Sequence, residues 1–363
     1  MDVILLGAGV SGLSAGLELA RRGARVTLLD RGTLGGESTW AGAGIVFPLL
    51  PWDYGEDFNR LTLASLAHYP DWIAALRKQS HTDPEYLTSG LLVLPPVGNG
   101  AQDWCAAHGV RDAAAPPDVP GLAMPPAAGS LWLPQVAQIR NPRLARALGQ
   151  AIRALGGHIE DNVTIEDIGL QDSRLLSIRA GGKTYAADNI VLATGAWAGL
   201  PLASLPALAP IRPVRGQMLL YPPGSHRLQQ IVYQDGFYLV PRKDGHLLAG
   251  STLEFAGYAK EADDETRRQL HQRASSLLGS LPEPIRHWAG IRPGSADNLP
   301  IVGRHPDFAN LYLNVGHYRY GVTLAPVCAR LLADQMTGAV PELPLAPYSF
   351  NAALARTWPE PGV

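Results

Sequence analysis

The first thirty residues, MDVILLGAGVSGLSAGLELARRGARVTLLD, restrict the possible folds more than any other stretch of the chain. Residues 3–6 form a short apolar run stopped by glycine, the mark of a buried strand. Gly7, Gly9 and Gly12 follow in G-x-G-x-x-G spacing. Residues 13–22 continue as a helix with Leu13, Leu17 and Ala20 on one face, Gly23 stops it, and residues 24–29 form a second apolar strand ending in Asp30. Each glycine has a physical role. Gly7 permits the tight turn, Gly9 lets a pyrophosphate approach the backbone, and Gly12 lets helix and strand pack closely. The helix N-terminus offers free N–H groups and the positive end of a dipole to phosphates. Asp30 lies eighteen residues past Gly12, where a carboxylate accepts from a ribose hydroxyl. The three glycines alone would also suit a glycine-rich loop in another α/β protein. The full order of strand, glycines, helix, strand and acid is what points to a dinucleotide site.

A chain of 363 residues, 46% of them hydrophobic, has room for two domains. The net charge of −2 gives no reason to expect nucleic acid or an acidic membrane surface as partner. The two cysteines, Cys105 and Cys328, are too few and too far apart for a disulfide framework or a zinc site, so no metal is expected. There is no basic leader followed by an apolar core, and no run of eighteen apolar residues, so a cytoplasmic protein without a membrane span is expected. Residues 113–128, rich in Ala and Pro, read as an irregular surface connection.

Along the chain, residues 31–40 read as a Gly/Ser/Thr loop, and residues 41–45 (AGAGI) are small enough for a flat ligand to approach the backbone. Residues 46–54 are apolar with two prolines and suggest a rigid cover, although Phe47 and Trp52 suit plain core packing equally well. Helical periodicity runs over 57–78, a strand over 87–94, and a helix over 141–155 with Asn141 as N-cap and Pro142 in the first turn. A strand region begins at 158–168. Residues 188–192 form a buried strand opening into the small-residue turn Ala193-Thr194-Gly195-Ala196-Trp197. Strands at 218–221, 231–234, 237–241 and 246–252 read as consecutive and antiparallel, separated by the turn signals Asp235-Gly236 and Lys243-Asp244-Gly245. A polar helix covers 263–281, and a strand at 286–291 leads into Arg292-Pro293-Gly294. A last strand at 311–315 runs through a glycine-bounded turn, 316–321, into a helix at 322–337. The dinucleotide strands thus come from three separate parts of the chain, with an antiparallel set between. The expected fold is α/β: a discontinuous Rossmann-like nucleotide-binding domain with an inserted antiparallel-β domain.

These residues also carry a family resemblance. GAGVSGLSAG with Asp30, ESTWAGAGI, ATGAW, GFYLVPR, WAGIRPGSADNLPIVGRHP and GHYRYGVTLAP together resemble the glycine oxidase and D-amino acid oxidase family of FAD-dependent oxidoreductases, nearest in pattern to the glycine oxidases of thiamine biosynthesis. The resemblance spans nearly the whole chain. It implies dissociable FAD, a small amino acid as substrate, oxidation to the imino acid, and dioxygen as electron acceptor giving hydrogen peroxide. It implies an FAD-binding domain of residues 1–84, 141–210 and 287–363, a substrate domain of 85–140 and 211–286, and assembly as a homo-oligomer. Cofactor contacts are expected from Gly7, Gly9, Val10, Ser11, Gly12, Asp30 and Arg31, and from Ser38, Thr39, Ala43, Gly44 and Ile45 along phosphates and isoalloxazine. Further contacts are expected from Ile165 at the adenine, from Thr194, Gly195 and Trp197, and from Gly316, His317, Tyr318, Arg319, Tyr320, Gly321, Val322 and Thr323. The last set opens a helix whose N-terminus stabilises negative charge on the flavin.

Tyr238, Arg292 and Arg319 are the expected catalytic residues. An arginine at a strand end presents a planar fork to a carboxylate. By itself Arg292 reads more readily as a structural ion pair, and Tyr238 as a core tyrosine; the resemblance is what lifts both. Arg319 is expected over the flavin near the substrate on the same ground. Some family members carry histidine where this chain has Gly236, and others asparagine where it has Tyr320, so the preferred amino acid is left unspecified. Two other classes stay open: an amino-acid dehydrogenase passing electrons to a quinone or protein, and a nucleotide-binding or NAD protein without this chemistry.

Overall fold

A computed structural model describes residues 1–112 and 118–358. Residues 113–117, part of the expected irregular connection, lie outside the described residues.

The glycine-motif strand is Asp2–Leu6, the following helix Val10–Arg21 and the second strand Arg25–Leu29. Asp2–Leu6 lies inside a six-stranded sheet ordered Ile301–Arg304, Leu311–Val315, Asn189–Leu192, Asp2–Leu6, Arg25–Leu29, His158–Glu160. Every pairing is parallel except the one between the two strands nearest the C-terminus. Alternation places Val3 and Leu5 in one core and Ile4 and Leu6 in another, so the sheet is apolar on both faces. The first core is covered by the helices Val10–Arg21, Glu56–Gln79, Asn141–Ala154 and Gly321–Thr337. The second is covered by a small antiparallel sheet of Ile165–Gln171, Arg174–Ala180 and Lys183–Tyr185.

The other large sheet has seven strands, ordered Arg286–Gly294, Arg212–Tyr221, Leu247–Gly250, Phe237–Pro241, Ile231–Gln234, Leu91–Val93, Leu131–Leu133. All its pairings are antiparallel except Ile231–Gln234 with Leu91–Val93. One face packs on the helix Asp264–Leu278 through Leu270 and Ala274. The other, with Met218, Tyr233 and Val240, turns toward the nucleotide sheet.

Several local expectations change. The single strand at 87–94 is two: Leu87–Thr88 pairs with Ala137–Gln138, and Leu91–Val93 joins the large sheet. Gly90 breaks it, at φ +71° and with the Trp132 ring where a Cβ would stand. The cap of Asn141–Ala154 is Arg140, not Asn141, because the Asn141 amide donates instead to the Gly42 carbonyl at 3.1 Å. The helix Ala101–Ala107 was not expected, and the 31–40 loop ends in a short helix, Ser38–Ala41. Among the described residues no helix is long and apolar enough to cross a membrane.

Candidate active site

A cavity of about 880 Å³ runs between the two large sheets. At one end stands the glycine turn. Gly7 has φ +112°, and a Cβ there would overlap the Ala193 carbonyl. A Cβ on Gly12 would overlap the Gly7 carbonyl, which is why helix and strand meet so closely. A Cβ on Gly9 would meet only Thr39 Oγ1, at 3.4 Å, and otherwise enter the cavity. The helix starts at Val10 with no cap from its own turn; the Val10 N–H donates to Thr39 Oγ1 at 2.9 Å, contributed from the loop opposite.

Asp30 has a second role. Its carboxylate accepts from Ala8 N at 2.6 Å and from Gly32 N at 2.8 Å, pinning both loops of the site. Burial raises its pKa, partly offset by these two N–H groups. Beyond it, the Arg31 guanidinium lies 4.0 Å above the Trp197 ring. A strap from the antiparallel half crosses here: the Tyr258 hydroxyl donates to Ala196 O at 3.0 Å, and Lys260 pairs with Glu37.

At the far end, Arg292 is inside the strand Arg286–Gly294 rather than beyond it, which corrects the expected free fork at a strand end. Its Nη1 donates to Thr252 O at 3.1 Å and Arg215 O at 3.3 Å, and its Nη2 to Ser251 Oγ at 2.7 Å. Guanidinium has five N–H groups, so among the described residues Nε–H and one Nη2–H are left for a ligand. The plane rests on Gly216, where a Cβ would fall on the guanidinium. Nothing in the local sequence marks Gly216 for that role. The Tyr238 hydroxyl lies on the same wall and donates to Met218 Sδ at 3.4 Å. Arg319 faces the cavity, 5.1 Å above the Tyr318 ring. The Tyr54 and Tyr320 hydroxyls meet at 2.7 Å across the cover segment.

The cavity wall includes all the sequence-expected residues except Gly12, Gly316 and Thr323. Gly12 acts beneath the turn. The Gly316 carbonyl accepts from Ser295 Oγ at 2.6 Å, and the Thr323 hydroxyl donates to Ile45 O at 3.3 Å, so both support the wall from behind. Asn141, Ser251 and Met218 line the cavity without having been expected there, and Tyr54 does so from the expected cover segment. Only their position across the chain fold brings them in.

The wall fits a dinucleotide carrying a polar ring. Three residues of the wall carry a buried side-chain atom, Thr194 Oγ1, Asn141 Oδ1 and His317 Nε2, that has no partner among the described residues. Burial lowers the His317 pKa to about 4, so the ring is neutral at physiological pH. The helix Gly321–Thr337 points an end without a side-chain cap at the cavity through Tyr320, Gly321 and Val322.

Known proteins resemble this chain over nearly its whole length. A glycine oxidase of Pseudomonas aeruginosa is 38% identical over 96% of this chain and 98% of its own length. A glycine oxidase of Pseudomonas putida is 37% identical over 97% and 99%. The crystal structure of glycine oxidase from Geobacillus kaustophilus superposes with a TM-score of 0.84 at 28% identity, covering 96% of this chain and 98% of that one. The family model DAO, FAD dependent oxidoreductase, matches residues 2–335, and the chain belongs to that family.

Proposed function

We propose that this protein oxidises a small amino acid, with glycine, sarcosine and small D-amino acids as the candidate class, by hydride transfer from Cα to FAD. The observation that carries the reading is the Arg292 guanidinium. It is held flat on Gly216 by three protein oxygens, keeps two N–H groups free, and shares a cavity with the dinucleotide turn. A carboxylate taken by those two donors and by the Tyr238 hydroxyl has its Cα fixed in direction, and orientation of this kind lowers a barrier by several kcal/mol. FAD supplies, when bound, the hydride acceptor and the route of the electrons to dioxygen, giving hydrogen peroxide. The N-terminus of Gly321–Thr337 favours negative charge at the flavin end, and the substrate amine reacts in its neutral form.

FAD is dissociable in this reading. Cys105 and Cys328 are buried and outside the cavity wall, and burial pushes the Cys105 thiol up to about 11 and Cys328 further. The domain division given by the resemblance is kept with one change. Arg286–Gly294 pairs along its whole length with Arg212–Tyr221 and goes with the substrate sheet.

The test is a panel of glycine, sarcosine, D-alanine and D-proline with the purified yellow protein, read by peroxide formed per turnover in air. Flavin reduction without peroxide assigns the protein to the dehydrogenases. A colourless protein that takes up no FAD overturns the reading.

A further inference from the structure

Four successive carbonyls, from Ala41 to Gly44, are each taken by a donor, and the donors come from three parts of the fold. Trp288 Nε1 donates to Ala41 O at 3.2 Å, and Asn141 Nδ2 to Gly42 O at 3.1 Å. Arg242 Nη2 donates to Ala43 O at 2.6 Å, and the Ile139 N–H to Gly44 O at 2.8 Å. In a planar trans peptide the N–H points away from the C=O. Drawing these carbonyls into the wall therefore turns the following N–H groups toward the cavity, which Gly42, Ala43, Gly44 and Ile45 line. Gly44 has φ +71°, and a Cβ there would overlap the Ile139 carbonyl, so the segment has one way to sit.

Arg242 is the cation among the four donors. It follows the strand Phe237–Pro241 and reaches across to the nucleotide half. Its other contacts are also neutral oxygens: Nη1 donates to Gln138 Oε1 at 3.0 Å and Ile139 O at 3.2 Å. The neighbouring carboxylates, Glu85 and Asp244, pair with Arg140 instead. Burial and the Arg140 charge lower its pKa only to about 10, so it is charged at neutral pH. A positive charge thus stands directly behind the small-residue segment, polarising the peptide between Ala43 and Gly44.

We propose that Arg242 is a positioning residue for the flavin: it fixes that peptide so that the Gly44 N–H faces the bound cofactor, and its charge favours the reduced cofactor over the oxidised one. The proposal rests on the reading that the cavity holds FAD.

The experiment measures the midpoint potential of bound FAD by dye equilibration, and the FAD dissociation constant, for the parent, Arg242→Met and Arg242→Lys holoproteins. One charge lost at several ångströms through a protein medium amounts to about a tenfold change. In Arg242→Met the reduced-to-oxidised ratio at the parent's midpoint should fall about tenfold, or about 30 mV for a two-electron couple. Arg242→Lys keeps the charge but not the fork, so its potential should return most of the way while FAD binds several-fold more weakly than in the parent. A merely structural arginine would weaken FAD in both variants and leave the potential where it was, and that result overturns the proposal. If Arg242→Met does not fold, Arg242→Gln, which keeps a hydrogen-bonding side chain without the charge, decides: a reduced-to-oxidised ratio lowered about tenfold, or about 30 mV, supports the proposal, and a parent-like potential overturns it. A parent without flavin would count against the FAD reading and is recognised before any variant is made.

Discussion

The two ends of the cavity are built from different materials. The nucleotide end is mostly backbone: the turn at Gly7, the open face of Gly9, a helix start with no cap from its own turn, and an aspartate that ties two loops together. The proposed substrate end is mostly side chain: one guanidinium seated on Gly216 and oriented by Ser251, one tyrosine hydroxyl, one further arginine. A backbone site is damaged by adding atoms. A side-chain site is damaged by removing them.

That contrast orders the expected effects of substitution. The largest is Gly9→Val. Gly9 has φ −74°, which valine tolerates, and its Cβ would meet little protein, so the fold should survive while the added methyl groups fill pyrophosphate space. The expected product is a folded, colourless protein without oxidase activity; a yellow variant with parent-like FAD content would break the contrast at its strongest point. Next is Arg292→Ala, where truncating one member of a buried charge pair costs roughly 2–5 kcal/mol, or about thirty-fold to several-thousand-fold in kcat/KM. FAD content should not change. If kcat/KM on the best amino acid stays at the parent level, the carboxylate anchor moves to Arg319 and the amino-acid assignment is itself in question.

Asp30→Ala comes third and tests whether the nucleotide end is purely backbone in character. The notional loss is a ribose acceptor, but the Ala8 and Gly32 N–H groups also lose their partner. The apoprotein should lose about 1–3 kcal/mol in denaturant unfolding along with FAD affinity. Weaker FAD with unchanged apoprotein stability would show that the loops do not need the carboxylate. The smallest effect is Tyr238→Phe, about 1 kcal/mol in kcat/KM for one neutral hydrogen bond, without change in FAD binding. Its phenotype should be a mild copy of Arg292→Ala when amino acids and carboxylate inhibitors are compared.

The same contrast explains what could be read before the structure. Gly7, Gly9, Gly12 and Asp30 are legible because a backbone site forces residue types at fixed spacing. Arg292 carries no such spacing signal. Its strand was also expected to stop at Ile291, ahead of Arg292-Pro293-Gly294. The strand instead runs to Gly294, because it is the edge of its sheet and Pro293 sits opposite Pro213, where no ladder donor is required. Asn141 has every local mark of an N-cap, yet its amide is used by Gly42, ninety-nine residues away. Gly216 and Arg242 act entirely through partners remote in sequence, which no local pattern records.

The order of strands in the nucleotide sheet has a consequence for how the chain is made. Asp2–Leu6 pairs on one side with Arg25–Leu29, which leaves the ribosome soon after it, and on the other with Asn189–Leu192. At about 5–20 residues per second, the apolar first strand waits roughly 10–40 s for its second neighbour. The wall formed by His317 to Val322 emerges later still. Cofactor capture is therefore expected as a late event of synthesis, with the nascent glycine turn dependent on chaperone cover until then. Nascent chains arrested near residue 300 should hold no FAD, and arrested chains that did hold it would show that the first strand and its turn suffice.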